Sequence, residues 1–455
     1  MLKKNNRILF IVFCALALSS VLSAQVSSQN IRPKINSPIS RFGLGNLSHS
    51  YFTAQGSMGG YSAAFIDPFH LNMENPASLS FLRSTAFEVG LNTKVSVLED
   101  SNKNKDNFLE GNLNYLAIGF PIKNPLNQAL DRLNSPWQFG MAINLTPYSN
   151  VGYDINTYSG DENTGSVLNV LKGTGGTYRF NWGGGARYKN FAAGVNLGYQ
   201  FGQIINSRLV AFDTLAYSYF TEFREDMTVN AFVWRAGVQY VHEFKSDNDE
   251  GKKEFNGKRF IVGAYGNSQQ NFKTTNASFI KRDNVFNTLS TTDTIAYETG
   301  IEGTGVLPTE LTFGISYEQA NKLRLGVDYS ISNWSQYRNS IKPDALMDTW
   351  KLSIGGEYIP DIISYNNYFQ RIRYRAGFNT GTDPRSIQGE QVKSTAITLG
   401  FGLPIIMPRQ MVSFVDFGFE FGQYGVKNIL TEQYFNFTLG LTLNDNSWFF
   451  KRKFN

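Results

Sequence analysis

The stretch that decides the fold is "PWQFGMAINL", residues 136–145. Trp137, Phe139, Met141, Ile143 and Leu145 are large and apolar, while Gln138, Gly140, Ala142 and Asn144 between them are small or polar. Five such residues share a face only on an extended backbone, where successive side chains alternate sides. The pattern recurs down the chain. It returns in Phe87, Val89 and Leu91, in Phe191, Val195, Leu197 and Tyr199, and in Phe232, Trp234, Val238 and Tyr240. Later come Leu311, Phe313, Ile315 and Tyr317, then Leu323, Leu325, Val327 and Tyr329, then Phe417, Phe419 and Phe421. Many runs reach the roughly 9–11 residues that a tilted strand needs to cross hydrocarbon. The alternate positions hold Gly, Asn, Ser, Thr and charges. A sandwich buries its apolar faces together; long strands with a polar second face fit a barrel that is apolar outside and polar inside.

The N-terminus agrees with export. Lys3, Lys4 and Arg7 precede an apolar run, Ile8 to Leu18, and a small-residue cleavage site after Ala24. That run is too short to span a bilayer and reads as a secretory signal over 1–24. Cys14 is the only cysteine and lies inside it, behind bulky Val12 and Phe13 where a lipid-attachment site needs small residues. The mature chain therefore has no disulfide and no thiolate metal site. Three of the five net positive charges leave with the signal, so residues 25–455 carry +2 and no nucleic-acid footprint. No later stretch is apolar enough for a transmembrane helix.

These observations predict a closed antiparallel transmembrane β-barrel of about 14 strands. The strands are expected to start near residues 85, 112, 136, 177, 190, 227, 258, 308, 322, 347, 369, 390, 411 and 432. "YKNF" (188–191) and "EQANK" (318–322) read as tight turns on one side, and 149–176, 207–226 and 273–306 as long polar loops on the other. Short periplasmic turns against long external loops is the asymmetry of this class. The barrel is expected over 85–444, with a basic C-terminal tail, 445–455, in the periplasm. Residues 25–84 do not alternate and are expected to form a plug in the lumen.

"SMGGYSAAF" (57–65) followed by "NMENPASLSFL" (72–82) resembles the N-terminal hatch of the FadL-type outer-membrane family, which includes FadL and TodX. There an Asn-Pro-Ala step, here Asn75, Pro76 and Ala77, leads into the first strand. "LPTELTFGISYEQANKLRLGVDYSISNWSQY" (307–337) resembles the family's paired late strands. "SPISRFGLGNL" (37–47) and "WFFKRKF" (448–454) look like the Bacteroidota branch, which includes PorV-like proteins. The resemblance implies a fourteen-stranded plugged barrel in the bacterial outer membrane. Its motifs are structural rather than catalytic.

The inward face carries the candidate site. Arg371, Arg373 and Arg375 alternate and so should point together, with Glu357, Asp328, Arg324, Asp416 and Glu420 as neighbours in the sheet. The plug adds Asp67 and Glu74. Charges held away from water need partners, so one reading is a salt-bridged interior that fixes the plug. The other is an arginine ladder that attracts an anionic solute or fatty carboxylate. Catalysis is not expected. "GYSAA" (60–64) lacks the second Gly and the setting of a nucleophile elbow, and His49, His70 and His242 lack metal-ligand spacing. "DNDEG" (247–251) reads as a solvated turn rather than a calcium loop. The glycines of "GTGG" (173–176) and "WGGGA" (182–186) precede no helix, so they form no dinucleotide fingerprint. No cofactor is implied. Inward Arg179, Arg187, Arg235 and Lys351 argue for a polar, packed lumen. The expected function is a non-catalytic subunit of an outer-membrane protein machine for secretion or barrel assembly. The alternative is a FadL-like channel for hydrophobic small molecules. Expected partners are outer-membrane lipid, outer-membrane or periplasmic proteins and, under the alternative, a hydrophobic ligand. The alternation also predicts that Phe419→Arg blocks assembly while Gly418→Ser is tolerated.

Overall fold

The computed structural model describes residues 33, 35–123, 135–161, 165–212, 219–247, 253–284, 293–407 and 411–445. The signal segment, "DNDEG" beyond Asp247 and the tail beyond Asp445 lie outside them. The chain forms one antiparallel sheet that closes on itself. Its strands are β1 (Thr85–Asp100), β2 (Lys105–Pro121), β3 (Trp137–Asp161), β4 (Gly165–Tyr188), β5 (Phe191–Phe212) and β6 (Tyr219–Asp247). β7 has two segments, Lys253–Asn267 and Gln270–Asn284, and β8 likewise, Asp293–Leu307 and Glu310–Gln319. The breaks at 268–269 and 308–309 face each other across one ladder. β9 (Leu323–Ser332), β10 (Thr349–Tyr358), β11 (Arg373–Ile387), β12 (Glu390–Met407), β13 (Met411–Val426) and β14 (Leu430–Asp445) complete the wall. β14 pairs with β1 from Leu430↔Asp100 to Asp445↔Thr85, which closes a fourteen-stranded barrel.

The outer face follows the alternation. Trp137 and Ile143 are exposed, whereas Gly140, Ala142 and Asn144 on the alternate face are buried toward the lumen. Sequence reading placed several strand starts too late. The expected loops 149–176, 207–226 and 273–306 are mostly the arms of tall hairpins, as in β4 from Gly165 and β6 from Tyr219. These arms stand beyond the apolar band, so they lack the lipid-facing side chains that mark a spanning strand.

The arms of β3 to β8 have a core of their own. Tyr148, Tyr153, Ile204, Met227 and Phe272 pack there with Leu44 from the N-terminal segment and with Trp334 and Tyr337 between β9 and β10. β3 bends to reach it. Pro147, which has no N–H to donate, lies beside a register shift between Pro147 and Ser149. The ladder of β2 with β3 covers only Leu116↔Leu145 to Pro121↔Gly140.

Residues 35–84 contribute little to the wall. They form three short helical turns, Pro38–Arg41, Thr53–Gly56 and Pro76–Phe81, and a two-residue strand, Asn46–Leu47. From Phe52 to Leu82 nearly every residue is buried.

Candidate functional site

The plug rests on glycine. Each of the fourteen strands presents one inward glycine at the waist, and thirteen of these have plug atoms within 3 Å of where a Cβ would stand, although at Gly314 and Gly418 a wall side chain, Asp328 or Thr438, comes closer still. Gly140 abuts the Leu79 carbonyl, Gly185 and Gly194 abut Pro76, and Gly237 abuts Asn75. Gly263 meets Ala63, Gly326 meets Tyr61, Gly355 meets Met58, Gly377 meets Gly59, and Gly440 meets Thr53. Gly90 is filled by the Tyr115 ring, whose hydroxyl donates to Thr53 Oγ1 at 2.9 Å. Many of these glycines are direct cross-strand partners, including Gly140↔Gly185, Gly185↔Gly194, Gly194↔Gly237, Gly355↔Gly377 and Gly440↔Gly90. The result is a belt bare of side chains. The plug follows it in order, Thr53 to Ala64 passing from β14 back to β7 and Asn75 to Leu79 from β6 to β3.

Polar side chains of the wall then tie down the plug backbone. The Asp328 carboxylate accepts from the amides of Ser62 and Ala63 at 2.6 and 2.8 Å. Glu88 accepts from the Leu71 amide at 2.6 Å, and Thr398 Oγ1 from the Gly59 amide at 2.8 Å. Asn196 donates to the Met73 carbonyl at 2.6 Å and Gln239 to that of Ala63 at 2.9 Å. Within the plug, Asn75 caps the turn at Pro76, its side chain accepting from the Ala77 amide at 3.1 Å and donating to the Ala63 carbonyl at 2.7 Å. Proline suits the first position of such a turn because its missing N–H would be unpaired there anyway.

The charge cluster centres on Asp67, whose Oδ1 accepts from the amides of Phe69 and His70. Arg373 reaches Asp67 Oδ2 at 2.9 Å and Arg324 at 3.4 Å. Arg324 also pairs with Glu357 at 3.2 Å and Glu318 at 3.4 Å, and donates to the Ile66 carbonyl at 2.9 Å. Arg375 bridges Glu357, at 2.8 Å, and Asp416. His70 lies between two carboxylates, Nδ1 3.3 Å from Asp67 and Nε2 3.0 Å from Asp416. Burial opposes charge on this plug imidazole, but Asp416 and Asp67 outweigh it and its pKa is pushed up to about 9. Arg373, Arg375, Arg324, Asp67, Glu357 and Asp416 are all buried. Each cation already has a carboxylate, so the cluster is a lock rather than an open anion site.

Three expected members stand elsewhere. Arg371 is not on the strand: Asn367 caps a 3₁₀ turn, Tyr368–Arg371, that precedes β11, and the guanidinium lies over the Tyr368 ring. Glu420 accepts from Tyr434 at 3.0 Å and Asn436 at 3.4 Å rather than from an arginine. Asp328 holds plug amides, as above. Glu74 forms a second lock with Arg235, which also reaches Glu310 at 3.1 Å. Sequence reading missed His70, Glu88, Asn196, Gln239 and Thr398, since a lone inward polar residue carries no spacing signal. It saw inward glycines but not the belt, which appears only once strand register is known.

Beside the plug, away from the rim that holds Thr85 and Asp445, lies a cavity of about 990 Å³. Its lining includes His49, Tyr51 and Glu74 of the plug and Arg179, Arg235, Lys351 and Glu420 of the wall. Charged side chains and apolar surface share its lining.

The sequence profile of one protein family, BamG, matches residues 1–455. The chain belongs to the BamG family. No curated protein matches it. Among solved structures, a Pseudomonas aeruginosa FadL homologue is similar at 12% identity and TM-score 0.52, over 88% of this chain and 99% of that one. The Pseudomonas putida toluene transporter TodX is similar at 14% identity and TM-score 0.51, over 87% and 98%. The Ralstonia pickettii toluene transporter TbuX is similar at 16% and 0.50, over 89% and 99%. At these identities the likeness is one of fold. This BamG-family chain is an outer-membrane β-barrel of FadL-type fold, and the proteins it resembles are of non-enzymatic kinds.

Proposed function

We propose that this BamG-family chain is a non-catalytic subunit of an outer-membrane protein machine, the one that assembles β-barrels. The family's name, which marks it as one of the Bam set, supports this reading. So does the glycine belt: a wall stripped of side chains all round its waist suits a fixed plug better than a gate. Outer-membrane and periplasmic proteins are then its partners, with lipid around the barrel. The termini "SPISRFGLGNL" and "WFFKRKF" keep the Bacteroidota branch within this proposal. The rim holding Thr85 and Asp445 is assigned to the periplasm, because the tall hairpins belong on the outside.

The second reading is a FadL-like channel for hydrophobic small molecules, favoured by the fold shared with two toluene transporters. The charges in the cavity lining, Arg179, Arg235, Lys351, Glu74 and Glu420, weigh against it. Extraction from the native membrane in mild detergent separates the two. A stoichiometric set of outer-membrane proteins supports the subunit; a bound lipid in the lumen with no accompanying protein supports the channel.

A further inference from the structure

Among the described residues, the β2–β3 seam leaves a strand edge without a partner at lipid depth. β2 pairs with β1 along its length, from Glu99↔Lys105 upward in number, but with β3 only from Leu116. Asn114 is bulged out of the β1 ladder just below that point, where the register shifts. β3's own edge is covered within the chain from Ser149 to Asp154: Asn46↔Asn150 and Leu47↔Ser149 pair, the Ser37 amide donates to the Gly152 carbonyl at 2.8 Å, and the Asp154 amide donates to Asn36 Oδ1 at 3.1 Å. Among the described residues, the β2 edge has no such backbone cover, and only side chains cross to it, Asn150 to Glu110 and Asn36 to Asp106, both at 2.8 Å.

This edge belongs to the apolar band. Leu109 and Leu113 point outward, 66% and 46% exposed, level with Val95 and Leu91 of β1 and with Phe435 and Leu439 of β14. Lipid cannot satisfy backbone N–H and C=O groups, so an open edge inside hydrocarbon calls for cover. The edge also states what fits it. Its lipid side offers leucines and its lumen side Asp106 and Glu110; Lys94 stands opposite Glu110 in the β1 ladder, but its ammonium pairs with Glu432 at 2.6 Å instead. A second copy of β2 would set these carboxylates against one another, which is unfavourable across a ladder.

We propose that the Lys105–Asn114 edge of β2 receives, by strand addition within the membrane, an alternating transmembrane β-strand of a partner barrel. That strand carries apolar residues toward lipid and a basic or amide residue toward Glu110. The inference rests on the subunit reading and specifies where the partner binds.

Its test places a photo-crosslinking amino acid singly at Asn107, Leu109 and Gly111 of the full-length chain in native membranes. A side chain at Gly111 enters open space. Leu399, on the fully paired β12, is the control. The expected result is capture of one outer-membrane protein from all three β2 positions and none from Leu399. Sites on that protein should step two residues at a time along one strand. As a second arm, Glu110→Cys and Asn150→Cys are combined in the otherwise cysteine-free mature chain. Bridging the purified variant with a short thiol reagent should abolish capture of that purified partner. Crosslinks to lipid alone, to residues 25–32 of the same chain or to a second copy, sites that do not step by two, or capture that survives bridging would overturn the proposal. If mild-detergent extraction still yields the partner complex while these crosslinks fail, the subunit reading stands and the seam assignment falls.

Discussion

At the scale of single residues, the belt reverses one inference from the alternation. Gly418 is one position from lipid-facing Phe419, and pattern alone makes serine acceptable there. In the structure a Cβ on Gly418 collides with Thr438 Oγ1 and crowds Ser57 Oγ. Gly418→Ser and Gly140→Ala should each destabilise the plugged barrel by about 1–3 kcal/mol, the usual cost of overpacking, read as a lower melting temperature on unheated gels. Asp67→Asn should do more. It leaves Arg373 and Arg324 short of a buried carboxylate, a class of change costing about 3–5 kcal/mol. His70 adds a pH dependence with a definite sign. Its pKa is raised in the folded state, so its contribution is complete below about 6.5 and is lost as pH rises through about 9. Melting temperature followed from pH 6 to 10 should fall across that window, and His70→Asn should flatten the fall.

Elements were legible where the signal is local. Phe417, Phe419 and Phe421 do face lipid with Phe435 and Phe437 beside them, because period-two patterning needs no knowledge of neighbours. Phe419→Arg should therefore prevent stable assembly, a guanidinium there costing on the order of 2–4 kcal/mol at the bilayer midplane. The check is loss of the heat-modifiable band. Hairpin arms were not legible, since outside the bilayer neither face of a strand need be apolar. Arg373 and Arg375 pair with Asp67 and Glu357 in the lumen, whereas at Arg371 a capped 3₁₀ turn interrupts the alternation where no hydrophobic signal marks it. The seam escaped notice for a related reason. Pro147 is visible in the sequence, but its effect is on pairing with another strand, not on its own pattern.

For the whole molecule, the barrel and its filling make one body. Purified protein should conduct ions poorly, and deleting residues 30–80 should raise conductance sharply in a planar bilayer. An unchanged conductance would mean that the cavity is already continuous through the plug. Orientation has its own check. Tags at residues 213–218 and 285–292 should be reached by protease on intact cells, while tags at Lys189 and Ala320 should not.

The course of the plug along the belt bears on how such an object can be built. Thr53 to Ala64 emerge early in synthesis yet touch strands from β14 back to β7, the last of them made hundreds of residues later. Contacts so distant in sequence carry a large loop-closure cost and form late. A finished barrel is open at its ends alone, so the coil would have to enter end-on and then be laid on the glycines in order. The order of these contacts suits a segment that waits as a mandrel while the sheet is wound about it, with closure of β14 onto β1 sealing both at once.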